Sequence, residues 1–185
     1  MSLEADWFLR AHPEITTIEV LLPDCNGVMR GKWLPRHKLG SIFEGELKLP
    51  KTALSLDIWG RDVQSLVFAT GDADGICRPV EGSLLPTPWS PQGQHGQVML
   101  SMFNDDGSPY MGDPRHVLKR VLARAAAGGY TYLVGPELEY FYFEDSDGAF
   151  PLDKGGYFDA RPLDAGGELR RETIFALQAM GIQVE

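Results

Sequence analysis

An α+β fold is predicted by three observations. Strand-like segments and turn residues fill the first hundred positions, two amphipathic helices dominate the remainder, and composition shifts at Asn104-Asp105-Asp106-Gly107. Segregated strands and helices, rather than a strict alternation, are the mark of that class. The expected division is a domain over residues 1–104 and a second one opening at 105 and running to 185.

The first domain reads as follows. Asp6 to Ala11 is a short helix that stops at His12-Pro13, because proline disfavours helix in the residue before it. Thr16 to Leu22 is β-branched and apolar, hence a strand. Asp24-Cys25-Asn26-Gly27 is turn chemistry, and Val28 to Leu34 returns as the second arm of a hairpin. Four further segments read as strands: Ala53 to Ile58, Ser65 to Ala69, Gly75 to Val80 and Gln97 to Phe103. Pro86, Pro88 and Pro91 mark a loop before the last of them.

In the second domain, Asp113-Pro114 combines an N-cap with proline at the first helical position. The helix that follows places Val117, Leu118, Val121, Leu122 and Ala125 on one face, and Gly128-Gly129 ends it. Tyr130 to Val134 and Glu137 to Phe143 read as strands on either side of Gly135-Pro136. An acidic, glycine-rich excursion spans residues 145–156, and a last helix runs from about Glu168 to Met180. Ile182 to Glu185 looks like the start of another strand, so the chain is expected to be incomplete.

Composition excludes several functions. A net charge of −9 argues against nucleic acid or an anionic membrane surface as partner. No apolar run approaches the roughly 18–20 residues of a membrane span. The basic run Arg30, Lys32, Arg36, His37, Lys38 reads as a solvated face. Cys25 and Cys77 lack histidines at ligand spacing, and no secretory leader opens the chain. Two reduced thiols in a cytoplasmic protein are expected, without zinc.

The chemistry-bearing pattern is Glu137-Leu138-Glu139. Alternate residues of a strand share a face, so Glu137, Glu139, Phe141 and Phe143 project together, opposite Leu138, Tyr140 and Tyr142. The two carboxylates then stand about 6.5–7 Å apart along the strand. A divalent cation relieves the repulsion of two such charges at a largely buried strand. A surface strand end with two solvated glutamates fits the isolated motif as well.

Gly135-Pro136-Glu137-Leu138-Glu139-Tyr140-Phe141 resembles the signature strand of the glutamine synthetase family. Lys154-Gly155-Gly156-Tyr157-Phe158 is similar to a second family motif, and Asp24-x-x-Gly27-x-x-Arg30-Gly31-Lys32 to the hairpin of its β-grasp N-terminal domain. The resemblance implies a β-grasp-like domain followed by the first part of the family's catalytic domain. It implies ATP-dependent ligation of ammonia to the γ-carboxylate of glutamate, with Mg²⁺ or Mn²⁺ held in part by Glu137 and Glu139. Asp57 would then bind ammonium and take its proton, Tyr157 would line that pocket, and Asp74 would support it electrostatically. The implied assembly is a homo-oligomeric ring whose sites form between subunits. Glutamates, a histidine, arginines and a nucleotide loop that complete the family's site are not found in these residues, so the 185-residue chain alone is expected to be inactive.

One departure leaves the amine open. Ile58-Trp59-Gly60-Arg61 follows Asp57 where ammonia-using members carry a Ser- and Gly-rich loop. An apolar pair there suits a larger amine, as in γ-glutamylamine ligases such as γ-glutamylputrescine synthetases, whereas Tyr157 favours ammonia. A non-catalytic member acting as a binding or scaffold module and an unrelated metal-dependent hydrolase are the rival readings. Asp57 and Asp74 also make sense as plain turn residues.

Overall fold

The computed structural model describes residues 2–71, 73–156, 159 and 165–184. Its chain contacts divide it into two units, Met1–Tyr132 and Leu133–Glu185.

The first unit begins with α1 (Leu3–Ala11), whose N-cap Ser2 Oγ accepts from Ala5 N at 3.1 Å. β1 (Thr17–Pro23) and β2 (Met29–Pro35) form the expected antiparallel hairpin, with Leu21 opposite Gly31. A single turn of 3₁₀ helix leads into α2 (Leu39–Phe43), and β3 (Lys48–Pro50) follows. Next come a 3₁₀ segment (Lys51–Leu54), α3 (Gln64–Thr70), β4 (Asp74–Pro79), β5 (Leu85–Pro86) and β6 (His95–Phe103).

These strands make a six-stranded mixed sheet in the order β2-β1-β6-β4-β3, with β5 also on β6. β6 organises it. Its first half runs parallel to β1, with Thr17 opposite His95, and its second half runs antiparallel to β4. Strict alternation on β1 buries Ile18, Val20 and Leu22. Against them pack Val98, Leu100 and Met102 of β6, Phe8 of α1 and Leu39 and Ile42 of α2, forming one core.

Two polar devices attach helices to this sheet. Arg36, just past β2, donates from Nη1 to the carbonyls of His12 (2.6 Å) and Ile15 (2.8 Å), and from Nη2 to that of Leu9. It thereby satisfies acceptors left over at the C-terminal end of α1 and just beyond it. The second device opens α4 (Pro114–Ala127). The buried N-cap Asp113 accepts from Arg115 N through Oδ1 and from Met102 N through Oδ2, both at 2.8 Å, while His116 Nε2 bonds Met102 O.

Within the first unit the structure departs from the sequence expectation at several points. Residues 65–69 are helix rather than strand: they lie in α3, which Gly71 ends in the left-handed conformation at φ 58°. Residues 53–58 are not a strand either; they end the 3₁₀ segment and enter a turn. The apolar face expected to bury α4 is open among the described residues, with Leu118 56% exposed and only His116 of the helix buried. α4 is held by its first turn, not by its stripe.

Past α4, across the end of the first unit and into the second, residues 130–134 and 137–141 form no strand ladder among the described residues. A strand needs a partner for its backbone groups, and only the far end of the segment finds one. Glu144 N donates to Phe150 O and Leu152 N to Tyr142 O, closing a small hairpin around Asp145–Gly148. Asp145 Oδ1 caps its turn by accepting from Asp147 N and Gly148 N. α5 (Gly167–Ala179) matches the expected last helix. No helix among the described residues is long and apolar enough to cross a membrane.

Candidate functional site

Two turns carry Asp24 and Asp57, whereas Asp74 lies apart at the start of β4. Asp24, buried at the end of β1, accepts from Asn26 N (2.8 Å) and Val28 N (2.9 Å) through Oδ1. Its Oδ2 accepts from Arg30 Nε (3.0 Å) and Nη2 (2.9 Å). Burial opposes its ionisation, yet the N–H groups of Val28 and Asn26 and the Arg30 guanidinium outweigh it and hold the carboxyl below the usual aspartate value. The Asp24 and Arg30 of the hairpin motif are thus a clamp on the turn. Gly27 sits in that turn at φ +77°, which a side chain resists. Gly31 has a different reason: a Cβ there would lie 1.7 Å from Val20 O, so β1 and β2 tolerate only glycine at that point.

Of the basic run, Arg30 and Arg36 are therefore absorbed by internal bonds. The run does not act as one cationic surface. Both cysteines are free: Cys25 is exposed on the hairpin turn, whereas Cys77 is buried and burial pushes its thiol up to about 12.

Asp57 lies half-buried in a tight turn. Its Oδ1 accepts from Trp59 N (2.8 Å) and Arg61 N (2.9 Å), its N–H donates to Arg61 O, and Leu56 bridges to Asp62. Ile58 and Trp59 project from this turn, 74% and 77% exposed. Asn26 Nδ2 donates to Leu56 O at 3.0 Å, joining the hairpin tip to the Asp57 turn. Sequence reasoning gave Asn26 only a turn-forming role; its contact spans 30 residues and has no local signal. Asp74 opens β4 opposite Pro50 and is exposed.

Glu137 and Glu139 lie in the second unit on an extended, exposed stretch. The rings of Tyr140 and Tyr142 meet edge-on at 5.2 Å, and those of Phe141 and Phe143 stack at 6.5 Å. Alternate residues therefore share a side, as a strand-like backbone requires. Covering of both sides is not seen: Leu138 and Phe141 are 78% and 80% exposed. No hydrogen bond or ion pair joins either glutamate to another described residue, and no cluster of three or more potential metal ligands forms among the described residues. Tyr157 lies outside the described residues.

Comparison with known proteins places this geometry. Residues 111–185 match the family model for the glutamine synthetase catalytic domain. Glutamine synthetase of Halobacterium salinarum is 45% identical over 188 residues, covering 92% of this chain and 37% of that one. That of Methanosarcina mazei is 41% identical over 178 residues, covering 93% and 37%. The chain belongs to the glutamine synthetase family.

A solved structure of the GmaS/ADP complex is also similar, at 27% identity and a TM-score of 0.54 over 69% of this chain and 26% of that one. A glutamine synthetase-like mixed sheet with helices is therefore the fold. The chain spans 37% of the two synthetases named above, and 27% of a third, from Clostridium saccharobutylicum, at 44% identity. For a family that uses divalent metal, the donor set fits in kind: two free carboxylates supply the hard oxygen ligands such cations take. As two ligands, Glu137 and Glu139 could contribute only a share of a coordination shell.

Proposed function

We propose that this chain supplies the first part of an amide ligase that uses ATP to join ammonia or a small amine to the γ-carboxylate of glutamate. The observation that carries the reading is the ordered match to family motifs and relatives along more than nine-tenths of the chain. A similar structure solved with ADP agrees with nucleotide use. In this reading Glu137 and Glu139 hold Mg²⁺ or Mn²⁺, which when bound neutralises charge on the transferring phosphoryl group. Asp57 takes a proton from the bound ammonium group, Asp74 adds negative potential, and the Tyr157 hydroxyl lines the same pocket. The division into a β-grasp-like domain over 1–104 and the opening of a catalytic domain over 105–185 belongs to the proposal, supported by the β1–β2 hairpin and by a family match that begins at residue 111. So do a cytoplasmic homo-oligomeric ring with sites between subunits, and inactivity of the 185 residues alone.

One observation favours a larger amine than ammonia. The turn that holds Asp57 presents Ile58 and Trp59 outward, which suits an alkyl chain better than a hydrated ammonium ion.

The test grafts residues 1–185 onto the remainder of the Methanosarcina mazei relative. Amide and ADP should form with glutamate, ATP and either ammonium, methylammonium or putrescine, and Glu139→Gln should lower turnover at least 100-fold, on the order of a lost metal ligand. On the ungrafted chain, calorimetry should show Mn²⁺ binding that Glu139→Gln weakens. No turnover with any amine, together with Mn²⁺ binding indifferent to Glu139→Gln, overturns the reading.

A further inference from the structure

The tip of the β1–β2 hairpin and the turn carrying Asp57 are far apart in sequence and joined by one side chain. Asn26 Nδ2 donates to Leu56 O at 3.0 Å. Asn26 is itself held from behind, since its N–H donates to Asp24 Oδ1 and Asp24 is locked to Arg30 by two bonds. On the other side of the bond, Leu56 directly precedes Asp57 and bridges to Asp62 across the turn. Within that turn Gly60 N donates to Asp57 O, and Asp57 Oδ1 is engaged by the N–H groups of Trp59 and Arg61. The carboxylate can therefore turn only if the loop opens, and the loop hangs from the rigid sheet at Leu56.

We propose that Asn26 is a positioning residue, tethering the Asp57 turn to the hairpin and fixing the direction in which Asp57 presents its carboxylate. The proposal rests on the ligase reading only for what that carboxylate then does. Asn26 suits the task because its amide carries two donors and its exposed position leaves the core untouched. The rigid partner matters as much as the donor: a clamp built on Asp24 and Arg30 transmits the position of β1 to a turn that has no strand ladder of its own.

Amide hydrogen exchange on the 185-residue chain tests the tether without needing any activity. In Asn26→Ala, exchange at Trp59 and Arg61 should accelerate about five- to tenfold, the effect of losing one neutral hydrogen bond on a local opening. Asn26→Asp should do the same at neutral pH, because an ionised carboxylate has no donor. Asn26→Gln, which keeps the amide, should slow exchange relative to Asn26→Ala. Amides of β1 and β6 and the thermal midpoint should not move. Exchange within twofold of the parent in both Asn26→Ala and Asn26→Asp overturns the proposal. So does acceleration spread through β1 and β6, which would mark a weakened fold, and so does a Gln variant no slower than Ala. An unchanged turn leaves the ligase reading standing, whereas a grafted protein without turnover whose Mn²⁺ binding ignores Glu139→Gln overturns that reading and leaves the tether standing.

Discussion

Asp24 ties together Asn26, Val28 and Arg30, and its chemistry sets a pH dependence. Its folded pKa lies below the ordinary aspartate value, so its contribution is fully present above about pH 4, the unfolded value, and is lost as pH falls through the folded one. Asp24→Asn is expected to unfold more readily than the parent at pH 7 and to lose that disadvantage in strong acid; chemical denaturation at both pH values measures it. Asp24→Ala should cost about 2–4 kcal/mol at pH 7, because Arg30 loses its partner and the N–H groups of Asn26 and Val28 lose their acceptor. In the sequence, Asp24, Arg30 and Asp57 were marked only by their places in the family resemblance. What it could not show is that Asp57 closes its own turn while Asn26 reaches across to that turn. Side-chain bonds over 30 residues leave no periodicity to read.

At the scale of elements, the helix α1 depends on a residue outside it. Arg36→Ala should destabilise the fold by about 2–4 kcal/mol, since charge-assisted bonds to the carbonyls of Leu9, His12 and Ile15 vanish together. Arg36→Lys should recover only part, because an ammonium lacks the planar fork that reaches three carbonyls; urea titration compares the two. Elements fixed by local chemistry were legible in the sequence. Asp113-Pro114 starts α4 and Gly128 caps its end, and the Asp24–Gly27 turn joins β1 to β2. Residues 65–69 were not, because a five-residue apolar run fits strand and helix equally and only Gly71 distinguishes them. For residues 137–143 the alternation was legible, as the Tyr140–Tyr142 and Phe141–Phe143 pairs show, but a ladder depends on a neighbour that alternation does not supply.

On the scale of the whole molecule, the buried apolar residues among those described all fall between Ala5 and Met102. The described part of the second unit contributes none of them, so its local opening should be far cheaper than that of the sheet. Limited proteolysis is expected to cut first within residues 133–156 and to leave a protected fragment ending near Tyr132, read by mass spectrometry. First cuts within β1 or β6 would contradict this ordering of stability. The coarse division was legible because, among the described residues, the six strands all precede Asn104 and the two longest helices, α4 and α5, follow it. The six-strand order was not, since the parallel pairing of β1 with β6 brings together segments that no turn links.

That pairing has a consequence for how the protein is made. Thr17 and His95 are neighbours in the sheet, so β1 leaves the ribosome long before the strand that covers one of its edges. At about 5–20 residues per second, the interval between them is roughly 4–16 seconds. Through that time Ile18, Val20 and Leu22 can pair only with the β2 arm, and the nascent hairpin presents an open edge. Synthesis of β6 is the event that closes the sheet, and a stall before residue 95 would leave a chain prone to pair with its neighbours instead.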